Sequence, residues 1–376
     1  MDRHIGGQFP YAAFFWPAFA AASAVETASS IAVHLMGPSG EASPGRNMQE
    51  PEGATPGRTT LGLHTVRLRD FSLAENGVPT LLCTPLALHG AVVADLAAGH
   101  SLVAALREAG IERLFMADWR SAGAEMRFRG IDDYLADLNV LVDHLGGFVD
   151  LIGLCQGGWL SLLYAARFPA KVRKLVMAGA PVDTAARLSG LSAVAAATPL
   201  GLFQSLVQSG DGRVIGRDVA KLWGTGSVDE KTVRDSLQTL EPAGSPEFAR
   251  LEASFKTWND WTIDVPGTYY LEVIEKLYKR NQLASGEFVA LGQRVDLSRL
   301  RLPIYLLAGG ADEVVAPEQL LALERLVGTP PEFFRREVAP STHLGLFMGK
   351  RTLEQYWPAI VRWIREPLLD DGVSQP

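Results

Sequence analysis

The chain has 376 residues, is 47% hydrophobic and 20% charged, and carries a formal charge of −7. That is the size and balance of a large α/β domain with an insertion, or of two smaller domains, and the negative balance argues against a nucleic-acid partner. Two cysteines, Cys83 and Cys155, are too few for a disulfide framework and fit a reducing, cytoplasmic compartment.

Ile5 to Val25 is free of charge, follows Arg3 and contains Ala22-Ser23-Ala24, a small-residue triplet of the kind found at cleavage sites. Pro10, Pro17 and Gln8 interrupt the run, so residues 1–36 are expected to form an apolar helical arm rather than a secretory signal. Its cluster of Tyr11, Phe14, Phe15, Trp16 and Phe19 suits packing on its own domain, or docking on an apolar surface or a partner. Residues 37–60 hold Pro38, Pro44, Pro51 and Pro56 among Gly, Ser and charge, the composition of a linker.

Beyond it, Leu61 to Leu73 has the pattern of two opening strands, and Pro79 to Cys83 that of a first buried strand. Ser101 is placed to cap a helix that Gly110 ends. Leu114 to Ala117, running into Asp118-Trp119, is the next strand, and Ile131 to His144 has helical periodicity. A further strand is expected at Lys174 to Ala178. Strands alternating with helices predict a mostly parallel, doubly wound sheet. The alternation stops in residues 183–298, where helical segments around Phe203, Val219, Phe255 and Tyr270 predict a helical cap inserted between core parts 61–182 and 299–366. Strands at Ile304 to Ala308 and Phe334 to Val338, a helix from Phe347 to Ile364 and a tail at 367–376 complete the chain.

One segment carries the chemistry. Val149 to Leu154 reads as a buried strand and Trp159 to Ala166 as a helix, with Gly153-Leu154-Cys155-Gln156-Gly157-Gly158 between them. Small residues two before and two after the central one let strand and helix approach closely, which is the steric requirement of a nucleophile elbow. The alternative is a structural cysteine in a glycine-rich turn. As nucleophile, a thiol ionises more readily than a hydroxyl and leaves more easily, which suits exchange between thioesters and esters. The backbone N–H of Gln156 and one from the Pro85–Leu88 turn, assigned to Leu86, are the candidate oxyanion donors.

An elbow of this kind predicts an acid after a later strand and then a histidine. Asp312 follows the Ile304 strand, with Glu313 as a neighbouring alternative. His343 follows the Phe334 strand, and His89 is its rival. No metal cluster, phosphate-binding glycine loop or nicotinamide fingerprint is evident in the pattern of residues.

The segment Gly153 to Gly158 resembles the cysteine lipase box of polyhydroxyalkanoate synthases. The likeness extends to Asp132-Asp133-Tyr134, Phe168 to Val172, Ala180 to Asp183, Trp258-Asn259-Asp260, Pro266-Gly267-Thr268-Tyr269, Val295-Asp296-Leu297, Asp312 with Val315 and Pro317, and His343-Leu344-Gly345. The resemblance implies an α/β-hydrolase fold and a triad of Cys155, His343 and Asp312. It further implies transfer of 3-hydroxyacyl groups from coenzyme A thioesters to a growing polyester, with no cofactor beyond the coenzyme A of the substrate. Trp258 and Asn259 would stand in the cap near the active site, with Trp159 beside the nucleophile as a further substrate-site residue. A homodimer or accessory subunit and a polymer granule surface are the implied partners. Asp118-Trp119-Arg120, Ile131 to Tyr134 and Phe347 to Arg351 also resemble intracellular polyhydroxyalkanoate depolymerases, so hydrolysis by a depolymerase or thioesterase is the alternative, and a non-catalytic granule protein the second. Gly157-Gly158 favours the synthase.

Overall fold

The computed structural model describes residues 50–218 and 228–367. The apolar arm, residues 37–49 of the linker, the segment around Val219 and residues 368–376 lie outside the described residues.

Eight strands form the central sheet: β1 (Arg58–Gly62), β2 (Val66–Asp70), β3 (Thr80–Cys83), β4 (Leu114–Trp119), β5 (Val149–Leu154), β6 (Val172–Ala178), β7 (Ile304–Gly309) and β8 (Phe334–Ala339). Their spatial order is β1-β2-β4-β3-β5-β6-β7-β8. The first two strands pair antiparallel, as do β2 and β4, and every later pairing is parallel. β3, β4, β5 and β7 are buried at every position, as continuous apolar runs covered by helices on both faces must be. β1 opens within the stretch that composition marks as linker. The preceding residues are also tied down: the Ala54 amide donates to the Asp95 carbonyl (2.9 Å) and the Thr55 hydroxyl to the Asp95 carboxylate (2.7 Å). A buried carboxylate holds this stretch, and composition carries no trace of a contact made 40 residues away.

Helices α1 (Leu102–Glu108), α2 (Ile131–His144) and α3 (Gln156–Arg167) cross between the parallel strands. Ser101 caps α1 by accepting from the Ala104 amide at 2.9 Å, and Gly110 follows with φ +111°.

Between β6 and β7 the chain makes no main-sheet strand among the described residues. It forms α4 (Gly190–Ala197), α5 (Leu200–Ser209), α6 (Glu230–Leu237), α7 (Pro246–Asp260) and α8 (Gly267–Glu272), the last continuing as a π-helical turn through Lys279. Ser189, Asp229 and Ser245 cap α4, α6 and α7 by accepting amide hydrogen bonds, which is why the helices start where they do. After β8 the expected single helix is three: Gly345–Met348, Lys350–Gln355 and Trp357–Arg365. Gly349 takes an extended ψ of 120°, and Pro358 sits in the first turn of the third segment, so neither continues the preceding helix. Among the described residues no single helix is long and apolar enough to cross a membrane.

Candidate active site

β5 ends at Leu154, and the next residue, Cys155, takes φ 49° and ψ −117° before α3 begins at Gln156. A positive φ is strained for a side chain with a Cβ, and the turn is held by its surroundings. The Cys155 amide donates to the Ala178 carbonyl of β6, and the Gly158 amide to the Cys155 carbonyl, each at 2.9 Å. The glycines are sterically required. A Cβ on Gly153 would stand 2.5 Å from the Gly158 Cα, and one on Gly157 2.2 Å from the Cys83 carbonyl oxygen. The same closeness packs α3 onto the exit of β3. Its N-terminus, with the Gln156 N–H first, carries partial positive charge toward the Cys155 side chain.

β7 places the carboxylate. After Gly309 the chain turns, and Asp312 Oδ1 accepts from the amides of Val314 (2.9 Å) and Val315 (2.8 Å). Its other oxygen, Oδ2, meets His343 Nδ1 at 2.6 Å. Glu313, the neighbouring alternative, is not the residue at that nitrogen. His343 leaves β8 through a short loop, and its ring packs edge-on against Phe347 at 5.2 Å between centroids. Gly179, after β6, has φ +54°, and a Cβ there would lie 3.2 Å from His343 Cε1, so glycine leaves room for the ring.

The remaining face of the imidazole meets the Cys155 sulfur. Burial opposes its charged form, but the Asp312 carboxylate and the Cys155 sulfur outweigh that by charge and hydrogen bonding, raising the His343 pKa to about 10. Thiol, imidazole and carboxylate therefore form one chain of contacts, and Cys155 and His343 are each only 1% exposed. With Asp312 fixing Nδ1 as the bonded nitrogen, the arrangement can move a proton between imidazole and sulfur and take an acyl group on the thiol.

His89 belongs elsewhere. Its Nδ1 bonds the Trp261 carbonyl at 3.0 Å, its ring lies 4.5 Å from that of Trp258, and burial lowers its pKa to about 4. Leu86 is buried three residues past β3, in the loop leaving the strand on which Gly157 packs. Trp159, on the first turn of α3, donates from Nε1 to Gln156 Oε1 at 2.6 Å and holds that side chain beside the nucleophile. Trp258 and Asn259 are buried in α7. Trp258 lines a cavity of about 200 Å³ together with Trp119, Trp261, Arg67 and Asp118, and Cys155, Asp312 and His343 are not part of its wall.

Two contributions were not visible in the sequence. Gln238, at φ 50° after α6, donates from Nε2 to Ser341 Oγ (2.9 Å) and accepts from the Thr352 amide (2.9 Å), bracing the loop that carries His343. Tyr278, on the π-helical turn, interacts with the Gln156 side chain. A lone glutamine or tyrosine in a helical region gives no signal of such reach.

The fold and this geometry define the class: the α/β-hydrolase fold family model matches residues 89–349, and the chain belongs to that family. Solved structures agree at the level of the fold. A monoacylglycerol lipase from Paleococcus ferrophilus aligns over 80% of this chain and 98% of its own with a TM-score of 0.51 at 17% identity. A mutant epoxide hydrolase from Bacillus megaterium aligns over 81% and 99% with a TM-score of 0.52 at 16% identity.

Within the class, curated relatives are poly(3-hydroxyalkanoate) polymerase subunits PhaC, and the resemblance of the chain is to the polyhydroxyalkanoate synthase family. The Synechocystis protein is 29% identical over 332 residues, covering 84% of this chain and 85% of its own. That of Allochromatium vinosum is 27% identical, covering 77% and 83%. For the Haloferax mediterranei protein the values are 27% identity over 84% of this chain, which spans 64% of the relative's length.

Proposed function

We propose that the chain is a polyhydroxyalkanoate synthase-like acyltransferase that moves 3-hydroxyacyl groups from coenzyme A thioesters, through an acyl-Cys155 intermediate, onto a polyester chain. The observation that carries this reading is the triad of Cys155, His343 and Asp312, in which a thiol takes the nucleophile's place and is sealed from water. The relatives, all named as polymerase subunits, support it.

In this mechanism the Cys155 sulfur attacks the thioester carbonyl, and the displaced electron pair settles on the carbonyl oxygen, facing the N–H of Gln156 and that assigned to Leu86. As the carbonyl re-forms, coenzyme A leaves with the proton from His343. The hydroxyl of a second acyl unit then enters, His343 takes its proton, and its oxygen attacks the acyl carbon. The ester bond forms and the Cys155 thiolate is released. Asp312 holds the imidazole and stabilises its protonated state. Residues 183–298 act as a cap that keeps water from the acyl-enzyme, with Trp258, Asn259 and Trp159 shaping the substrate path. A cytoplasmic, granule-bound assembly with a second copy or an accessory subunit completes the proposal, in keeping with the word subunit in the relatives' names.

Incubation of the protein with 3-hydroxybutyryl coenzyme A is the test. Release of coenzyme A with accumulating polyester and little free 3-hydroxybutyrate is expected. Free acid equal to the released coenzyme A, or preformed polyester degraded faster than thioester is consumed, would replace synthesis by hydrolysis while leaving the triad in place.

A further inference from the structure

A row of buried rings leads from the exit of β4 to the elbow. Trp119 meets Tyr134 edge-on at 5.4 Å between centroids, Tyr134 meets Tyr269 at 5.0 Å, and Tyr269 stacks on Trp159 at 6.3 Å. Both ends are tied to the loops that supply the oxyanion donors. Trp119 Nε1 donates to the Thr84 carbonyl at 2.9 Å, two residues before Leu86, and Trp159 Nε1 to the Gln156 side chain at 2.6 Å. Tyr269 is thereby linked, through the neighbouring rings, to both of these loops. The row lies on the β4 side of the elbow, whereas His343 is carried by β8, at the far edge of the sheet.

The Tyr269 hydroxyl is fully buried and has no hydrogen-bond partner among the described residues. A hydroxyl withdrawn from water with no partner is costly, and the arrival of a polar atom would relieve that cost. The Tyr269 hydroxyl is near enough to Cys155 for the charge of the sulfur to bear on it, yet makes no hydrogen bond to the sulfur. Burial above all, with smaller contributions from Tyr134, Cys83 and Cys155, also keeps the phenol protonated, as a donor must be.

We propose that Tyr269 is a catalytic residue whose hydroxyl donates a third hydrogen bond to the oxyanion formed when Cys155 attacks an acyl carbonyl. This rests on the reading of Cys155 as nucleophile. The sulfur–carbon bond forms, the carbonyl π pair moves to oxygen, and Tyr269 Oη–H donates to that oxygen without giving up its proton. The carbonyl re-forms as the leaving group departs, and the hydrogen bond is released. A preorganised donor of this kind acts where charge develops, in a site that water does not enter.

The experiment compares two reactions of the same sulfur. Acylation by p-nitrophenyl butyrate and p-nitrophenyl 3-hydroxybutyrate, followed as a burst of p-nitrophenolate, passes through an oxyanion; alkylation by iodoacetamide does not. Tyr269→Phe is expected to slow both bursts on the order of 100-fold, as loss of one oxyanion donor does, with alkylation unchanged across pH. Tyr134→Phe removes a buried hydroxyl from the same ring row and is expected to leave both reactions as they are. Should Tyr269→Phe fold poorly, 3,5-difluorotyrosine at 269 keeps ring and hydroxyl, and is expected to change the burst rate alone. The proposal is overturned by an unchanged burst, by burst and alkylation falling together, by slowing of the hydroxylated ester only, or by a difluorotyrosine variant that matches the parent. A wild-type chain with no burst overturns the nucleophile and this proposal together. The aryl-ester burst does not depend on whether the acyl group later goes to polyester or water, so failure of the synthase reading shows separately, in the 3-hydroxybutyryl coenzyme A assay.

Discussion

The exits of β3 and β5 lie side by side, with Cys83 paired to Gly153 in register, and each strand delivers a buried thiol. Cys83 ends its strand in ordinary extended backbone, and burial pushes its pKa up to about 12. Cys155 stands one residue beyond its strand at a positive φ, with a helix N-terminus behind it and the His343 imidazole in front. Both are enclosed, so access does not distinguish them. What does is the charge around each sulfur. Burial disfavours the thiolate of Cys83, whereas Cys155 has the His343 imidazole and a helix N-terminus beside it.

The largest test of this contrast is removal of each thiol in turn. Cys155→Ala is expected to abolish acyl transfer while thermal unfolding stays close to that of the parent. Cys83→Ala is expected to keep the chemistry and lose about 1 kcal/mol of stability, typical of a small buried substitution. Activity surviving in purified Cys155→Ala would end the assignment.

Next in size is the carboxylate that sustains the imidazolium. Asp312→Asn is expected to lower turnover by roughly three to four orders of magnitude, the loss seen when a triad acid becomes an amide. Glu313→Gln, measured alongside, is expected to stay within a few-fold of the parent because Asp312 occupies the His343 nitrogen. The reverse ranking would move the acid by one residue.

A smaller effect concerns the steric link between the two exits. Gly157→Ala sets a Cβ 2.2 Å from the Cys83 carbonyl oxygen and 2.6 Å from that of Thr84, and backbone cannot step aside as a side chain can. A destabilisation of about 1–3 kcal/mol, typical of overpacking, is expected in urea unfolding. An unchanged midpoint would mean the strands are free to separate.

The least effect is the pH dependence of stability, where the two regions carry histidines of opposite sign. His89, beside the β3 exit, has its pKa lowered to about 4, so the unfolded chain binds the extra proton and stability falls as pH drops from 6.5 toward 4. At pH 5.5 this amounts to about 1 kcal/mol, one pH unit below the ordinary histidine value. His343 has its pKa raised to about 10, so its contribution is complete below 6.5 and is lost as pH rises toward 10. In urea titrations His89→Gln is expected to flatten the acid limb and Asp312→Asn the alkaline one. If neither limb changes, the two histidines are not the groups responsible.

The chain's own residues were enough to single out the three side chains that meet, Cys155, His343 and Asp312, because each rests on a local pattern. A buried strand followed by Gly-x-Cys-x-Gly-Gly admits few backbones, and the same steric rule that excludes side chains at 153 and 157 is visible in the glycines themselves. The alternation of strand and helix likewise gave the parallel sheet, and Ser101 and Gly110 the limits of α1, since capping acts within one turn of helix. The three-way split after β8 departs from the single helix that the apolar spacing predicts, because Gly349 and Pro358 break the backbone without breaking that spacing.

Tertiary structure alone decided the choices between neighbours and the contacts across the chain. Asp312 and Glu313 are equivalent as residues after a strand, and only the turn that gives Asp312 two amide donors and the His343 nitrogen separates them. His89 and His343 are both histidines after strands. One turns to a carbonyl and an indole, the other to a carboxylate and a sulfur, and their pKa values part by their surroundings. Trp258 was set by α7 against the His89 ring and on the wall of the cavity it shares with Trp119 and Trp261. Gln238 and Tyr269 owe their positions to the return of a helical insertion onto the sheet. A residue's type and its immediate neighbours set what it can do. Which atoms face it depends on contacts between segments far apart in the chain, 31 residues for Asp312 and His343 and 172 for His89 and Trp261, and those arise only when apolar faces are buried together.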